Sequence, residues 1–198
     1  MAERRKTVAD DTGPITWIFT GKCAPLDNFY HAPIDMPGIG RCETVEHAFQ
    51  AAKASNRKMR ERIRTAVGPG AAKALGRDRT RNRYRKDWER VRYGVMRTAL
   101  EVKFATYPDL LALLRSTGRR EIIEGNTWDD RVWGVVDGEG QNWLGRMLMD
   151  IRDNGFRIVR PQDVLPAPKA RDAHWPRWRD GMMTKVATGA AADARRSA

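Results

Sequence analysis

Two side chains within residues 43–53 have the types and the spacing to do chemistry together. The apolar pattern of this segment predicts a short amphipathic helix that places Glu46 and Lys53, seven residues or two turns apart, on one face with Phe49 between them. A carboxylate and an amine on an apolar face are costly to bury unless they are paired or used. The segment therefore indicates either a site where both groups reach one ligand or a buried structural ion pair.

Positive charge is concentrated in the middle of the chain. Of the formal net charge of +12, residues 56–103 supply an excess of 11, from 16 Lys and Arg against 5 Asp and Glu. The densest part, residues 77–86, shows no helical stripe and is expected to be a loop. Because arginine suits bidentate phosphate recognition, we expect Arg77 and Arg79 to hold phosphates and residues 57–103 to contact nucleic acid. A solvated basic face is the alternative.

Composition argues against several other classes of protein. A length of 198 residues suits one domain with tails, and no apolar run is long enough to span a membrane. The two cysteines, Cys23 and Cys42, and the three histidines lack the spacing of metal ligands, so neither a metal nor another cofactor is expected. Residues 1–11 are polar and charged, unlike a signal peptide, and we expect a cytoplasmic protein with free thiols.

Periodicity and punctuation predict the elements that must position these side chains. Predicted helices cover residues 44–54, 57–67, 71–75, 86–104, 108–115 and 142–152, and predicted strands cover 15–19, 121–124, 132–136 and 156–159. Gly76 is expected to end the third helix, and residues 21–41, with three Pro and three Gly, are expected to be loop. The core-facing stripe of the longest helix is expected to be Trp88, Val91, Val95, Ala99 and Val102.

These elements predict a mainly α (α+β) fold, a single compact helical domain with a few short strands. We expect the domain to occupy residues 14–160, after a disordered stretch at residues 1–13. Residues 161–198 are rich in Pro and Ala and carry basic side chains, and they are expected to form a tail.

A series of short motifs over residues 15–160 resembles the NADAR family, also called YbiA-like. The motifs, in order, are NFY at 28–30, TVEHAFQAAK at 44–53, GRDR at 76–79, RKDWE at 85–89, VM at 95–96, KF at 103–104, DRVWG at 130–134, GQNWLG at 140–145 and LM at 148–149. The chain departs from the family at Asp27, where Ser is frequent, and at Val135 to Asp137, where a second Gly is usual.

The resemblance implies a compact, mainly helical fold and cleavage of the N-glycosidic bond between a ribose and an amine or base. The substrate classes it implies are phosphoribosylamino-pyrimidine intermediates of riboflavin synthesis and ADP-ribose attached to guanine in nucleic acid. The residues expected to bind substrate lie within the motifs that match the family. These are Asn28, Phe29, Tyr30, Arg77, Arg79, Trp88, Trp133, Gly134 and Asn142.

Cleavage of an N-glycoside passes through a ribose with oxocarbenium character, so positive charge must be stabilised and water activated. Carboxylates do both in glycosidases, and Glu46 and Asp130 are the candidates. Lys53 can hold a phosphate, pair with Glu46, or attack the anomeric carbon and form a Schiff base. Asp130 can instead be a turn residue, and Asn142 can simply cap its helix.

Three functions remain open from the sequence. The protein can cleave a small phosphoribosyl metabolite, remove ADP-ribose from guanine in nucleic acid, or bind nucleic acid or ADP-ribose without catalysis. The basic stretch favours a polyanionic substrate. The presence of Glu46, Lys53 and Asp130 together argues against a binding module without activity.

Overall fold

A computed structural model describes residues 13–17 and 24–159 of the chain. The expectations for residues 1–12, for Cys23 and for the tail at 161–198 lie outside the described residues. Within them, the helices are α1 (Val45–Lys53), α2 (Arg57–Arg64), α3 (Pro69–Arg77), α4 (Trp88–Thr106), α5 (Pro108–Ser116) and α6 (Trp143–Asn154). The strands are β1 (Ile15–Trp17), β2 (Ile34–Met36), β3 (Gly40–Cys42) and β4 (Ile122–Glu124), and a 3-10 turn covers Ala24–Leu26. The mainly α (α+β) prediction is confirmed.

The strands form two small ladders on a helical framework. β1 pairs in parallel with β4, with Ile15 opposite Ile122, and β2 and β3 form an antiparallel hairpin whose turn contains Gly38 at φ 71°. This hairpin lies almost entirely within the segment predicted to be loop, residues 21–41. The sequence does not predict it, because strands of three residues are too short to show an alternating pattern. The prediction of a strand at 132–136 is wrong: turns occupy most of that segment, and only isolated bridges form at Val135 and Val136.

Helix α3 extends through the glycine that was expected to end it. Pro69 occupies the first turn, and the helix continues past Gly76 to Arg77. A Cβ atom at position 76 would lie 2.1 Å from the side-chain oxygen of Gln50. Gly76 is therefore a packing residue that lets α3 approach α1 closely, and this approach brings the cations of α3 to the same pocket as Glu46.

The core is centred on α1, all of whose residues are buried. Thr44 caps this helix by accepting a hydrogen bond from the backbone N–H of His47 at 3.2 Å. Ala51 packs with Met59, Ile63 and Ala72 in a cluster between α1, α2 and α3.

The predicted stripe on α4 is only partly right. Trp88, Ala99 and Val102 are buried, whereas Val91 and Val95 are half-buried. The other buried side chains of this helix are Met96, Arg97, Leu100, Glu101, Lys103, Phe104 and Thr106.

The carboxylate of Glu101 fastens the end of the described domain. It accepts the backbone N–H groups of Arg157, Ile158 and Val159 at 3.0, 2.7 and 2.7 Å, and the Arg97 Nε at 2.5 Å. The predicted strand at 156–159 is therefore wrong, because its N–H groups are bound by a side chain rather than by a neighbouring strand. Burial opposes ionisation of Glu101, yet these donors outweigh it and lower its pKa.

Replacing Glu101 with Gln is expected to lower the free energy of unfolding by about 3 kcal/mol at neutral pH, since Arg97 loses its buried partner. Because the pKa of Glu101 is lowered by folding, its stabilisation is present above its usual pKa of 4.5 and is lost as the pH falls. Urea unfolding at pH 7 and pH 4 measures both effects. Glu121, whose side chain is exposed, gives a matched Glu-to-Gln control, and equal stability of the two variants would contradict the assignment.

Candidate active site

A narrow pocket opens between α1, α3, β4 and the turn that follows β4. The empty volume of the pocket is about 440 Å³ when the open mouth is included. The pocket is lined by Asn28, Glu46, Phe49, Gln50, Lys53, Lys73, Arg77, Met96, Glu124, Asp130, Trp133 and Leu144. The three predicted catalytic residues thus lie in one pocket, although Asp130 is far from the other two in sequence.

Glu46 lies in the first turn of α1 with an amide donor on each carboxylate oxygen. Asn28 Nδ2 donates to Oε2 at 2.6 Å, and Gln50 Nε2 donates to Oε1 at 2.7 Å. Burial raises the pKa of Glu46, while the Gln50 hydrogen bond and the charges of Lys73 and Lys53 act in the opposite direction. The pocket therefore holds a desolvated carboxyl group in a fixed orientation.

The amine of Lys53 lies among aromatic rings. Its Nζ is 5.0 Å from the ring centroid of Phe49 and 5.6 Å from those of Tyr84 and Trp88. Burial lowers the pKa of Lys53 to about 8, against the raising effect of Glu46. Roughly a tenth of the amine is therefore neutral at pH 7, far more than for an ordinary lysine.

Asp130 lines the pocket and also shapes the turn that carries Trp133. Its Oδ1 accepts the backbone N–H groups of Val132 at 3.2 Å and Trp133 at 2.9 Å. The Trp133 ring then packs edge-on against Phe49, with centroids 5.3 Å apart. The two interpretations of Asp130, a turn residue and a pocket residue, are thus compatible, because one oxygen is sufficient for the turn.

Glu124 is a pocket carboxyl that sequence reasoning missed. It is 7% exposed, and its Oε2 has no hydrogen-bond partner within residues 13–17 and 24–159. Burial raises the pKa of Glu124 to about 8, and the negative charges of Asp27 and Asp130 add to this effect. The only available sequence signal was its position at the end of a predicted strand, which does not distinguish a pocket residue from a core or surface one.

Helix α3 contributes two cations to the pocket. Lys73 and Arg77 are four residues apart and so share a helix face, and both line the pocket. Lys73 Nζ lies 5.2 Å from the Phe29 ring and 5.5 Å from the Trp128 ring. The sequence predicts Arg77 as a phosphate ligand but not Lys73. The third helix is predicted to end before Arg77, so the two side chains are not placed on one helix face.

Four predicted substrate-binding side chains lie outside the lining and support it. The Arg79 guanidinium stacks 4.2 Å from the Tyr84 ring, and the Trp88 ring packs 5.0 Å from Phe49. Tyr30 is buried with its ring 5.4 Å from Lys103 Nζ. The fourth, Phe29, contacts Lys73 as described above.

Gly134 and Asn142 hold the backbone of β4 rather than lining the pocket. One interpretation expected the Asn142 side chain to cap α6, but it makes no capping hydrogen bond. Its Oδ1 accepts the Glu124 N–H at 3.1 Å, and its Nδ2 donates to the Ile122 carbonyl at 2.8 Å. A Cβ atom at Gly134 would lie 2.3 Å from the Glu124 carbonyl oxygen, so only glycine permits this approach.

Asp27, one of the departures from the family pattern, is part of a buried pair that fixes the loop carrying Asn28. Lys103 Nζ donates to the Asp27 carbonyl oxygen at 2.7 Å, and Asp27 Oδ1 accepts the Phe29 N–H at 2.9 Å. Burial raises the pKa of Asp27 to about 6 and lowers that of Lys103 to about 7. Asn28, held in this way, donates to Glu46.

Neither metal ligation nor a membrane span has support in the part of the chain that the structure describes. There, no three His, Cys, Asp or Glu side chains are grouped as metal ligands would be. The helices in the same ranges are all too short or too polar to cross a bilayer.

Comparison with known proteins finds a match to the NADAR domain over residues 19–154. The chain is 38% identical over 153 residues to the N-glycosidase YbiA of Escherichia coli. The aligned region covers 77% of this chain and 94% of that protein. It is 37% identical over 150 residues to the chloroplastic riboflavin biosynthesis protein PYRR of Zea mays, covering 69% of this chain and 24% of that protein.

A solved structure gives the same result. The NMR structure of Escherichia coli YbiA matches with a TM-score of 0.64 at 37% identity, over 72% of this chain and 84% of that chain.

Proposed function

The chain belongs to the NADAR domain family and is an N-glycosidase, and we propose that the ribosyl group it releases carries a 5-phosphate. The observation that carries this proposal is the pair of cations on α3, Lys73 and Arg77, in the same pocket as Glu46 and Asp130. A phosphate on the 5-position of a bound ribose is the part of the substrate that these cations would hold.

In the proposed reaction, water replaces nitrogen at the anomeric carbon, either directly or after Lys53 has displaced the nitrogen and the resulting imine is hydrolysed. The bond between carbon and nitrogen breaks as positive charge develops on the ribose, and the Glu46 carboxylate stabilises that charge and accepts a proton from the attacking water. Asp130, which lines the same pocket, adds a second negative charge. Trp133 and Phe49 shield the site from bulk water, which strengthens these electrostatic effects.

Two substrates fit this description. The first is a phosphoribosylamino-pyrimidine, which the name of the maize relative favours, since that protein is a riboflavin biosynthesis protein. The second is ADP-ribosyl-guanine in nucleic acid, favoured by the basic surface of residues 77–92. There Arg81, Arg85, Arg90 and Arg92 pair with three acidic residues, and positive charge remains in excess.

Direct incubation distinguishes the two substrates. The protein is mixed with phosphoribosylamino-pyrimidine and, separately, with ADP-ribosylated DNA, and the released sugar phosphate is measured by mass spectrometry. Release from at least one substrate is expected. Release that proceeds equally well from the corresponding ribosyl compound without phosphate would contradict the proposed phosphate requirement. The cytoplasmic location stays a prediction.

Replacing Lys73 or Arg77 with Ala is expected to raise KM at least about tenfold and to reduce its salt dependence, because each side chain offers a charge-assisted contact to phosphate. Arg79, which stacks on Tyr84, is expected to have a smaller effect. Arg115 is an exposed arginine of α5, outside the basic stretch, and serves as the matched control. Steady-state kinetics at two salt concentrations give the result, and identical KM values for the Arg77→Ala and Arg115→Ala variants would rule out a phosphate site on α3.

A further inference from the structure

We propose that Glu124 is the proton donor to the departing nitrogen, in the same pocket as the Glu46 carboxylate. The inference rests on the proposed function, because it concerns the same bond. Its physical basis is the contrast between two carboxyl groups that line one pocket but meet different surroundings. Pairs of carboxyl groups held in opposite protonation states are how glycosidases divide the roles of acid and base.

Hydrogen bonds and burial act in opposite directions on Glu46. Burial raises the pKa of Glu46, but each of its oxygens accepts a hydrogen bond from a side-chain amide, of Asn28 on one side and Gln50 on the other. Donors on both oxygens favour the carboxylate, which can then accept a proton.

Glu124 has the opposite environment. It is more than nine-tenths buried, and Oε2 meets no donor within the described ranges. An ionised oxygen in that position would be desolvated without compensation, whereas a protonated one can donate to a ligand. The groups whose charges act on it are Asp27, Asp130 and Glu46, which favour the protonated form, and Lys73, which opposes it. With its pKa raised to about 8, Glu124 carries its proton at pH 7.

A structural role for the Glu124 carboxyl group has little support. The contacts that build the strand come from its backbone, since the Glu124 N–H donates to Asn142 and its carbonyl accepts from Val135. Gly134 lies against the side chain, and a Cβ atom there would be 3.2 Å from Oε2. A side chain at position 134 would therefore crowd this flank of the carboxyl group.

Cleavage of the N-glycosidic bond moves one proton to nitrogen and takes one proton from water. The bond between the anomeric carbon and nitrogen breaks, and its electron pair stays on nitrogen. The Glu124 proton is transferred to that nitrogen, so Glu124 becomes a carboxylate and the amine or base leaves in neutral form. The water oxygen bonds to the anomeric carbon, and the water proton is taken by Glu46. Exchange with solvent restores both carboxyl groups.

The test uses a series of substituted analogues of the substrate that the wild type cleaves, differing only in the basicity of the departing nitrogen. Glu124→Gln is expected to lower kcat about a hundredfold for the most basic leaving group and only a few-fold for the least basic. Glu46→Gln is expected to slow all members alike. Glu139, an exposed glutamate that pairs with Arg131, provides a Glu-to-Gln control with no effect.

The wild type supplies the same readout without any substitution. Between pH 7 and pH 9.5 Glu124 loses its proton, so the dependence of kcat on leaving-group basicity is expected to steepen. Deprotonation of Lys53 in the same range changes every member of the series by one factor and leaves the slope unchanged. A slope that is independent of pH, or an equal loss across the series in Glu124→Gln, overturns the assignment. The phosphate requirement is measured separately and can fail while this result stands.

Discussion

Replacing Glu46 with Gln is expected to lower turnover at least about a hundredfold while the fold and the affinity for ligand are kept. The variant removes the negative charge from the pocket at nearly constant volume. Its new amide group would face the amide donors of Asn28 and Gln50, but both of those amides can rotate, because Asn28 Oδ1 and Gln50 Oε1 have no other hydrogen-bond partner in the described residues. The packing of α1 should therefore survive.

Single-turnover kinetics and product binding measured on the same sample separate catalysis from affinity. Glu43 precedes α1 on the surface and pairs with His31, so Glu43→Gln is the matched control and is expected to keep full activity. Turnover close to wild type in Glu46→Gln would remove Glu46 from the mechanism. A loss of thermal stability equal to that of a core mutation would instead show that Glu46 is needed mainly for folding.

Borohydride treatment during turnover is expected to produce a sugar-bearing adduct on the wild-type protein that is absent from Lys53→Ala. Imine formation requires a neutral amine and the aldehyde of ring-opened ribose. Burial among aromatic rings lowers the pKa of Lys53 to about 8, so part of the amine is neutral near pH 7. Intact-mass analysis detects the adduct, and Lys53→Ala is expected to lose at least about a hundredfold in turnover.

The pH dependence gives an independent check on Lys53. Because its pKa lies near 8, the rate of adduct formation should rise between pH 7 and pH 9, as the ammonium loses its proton. If Lys53 acted only as a positive charge, turnover would fall as the ammonium loses its proton, and no adduct would form. Retention of activity by Lys53→Arg would end the covalent role, since a guanidinium keeps the charge but forms no imine.

The sequence alone determined most of the local structure around α1. Its apolar period placed Glu46, Phe49 and Lys53 on one face, and the threonine cap at position 44 and the proline at position 108 set helix ends within a residue or two. Capping and periodicity involve neighbours in the chain, so local rules apply to them. The motifs also predicted the family and the N-glycosidase activity, both of which the comparisons confirmed.

Only the tertiary structure decided which distant residues meet Glu46. Lys73 enters the pocket because α3 packs beside α1 with a close approach at Gly76, and Glu124 lies on β4, which the turn at Gly134 approaches closely. No local pattern marks a glycine as a packing residue rather than the end of a helix. Burial, which raises the pKa of Glu124 to about 8, is likewise a property of the assembled core. The sequence gives the type of each ionisable side chain, but its protonation state depends on the neighbours that the fold places around it.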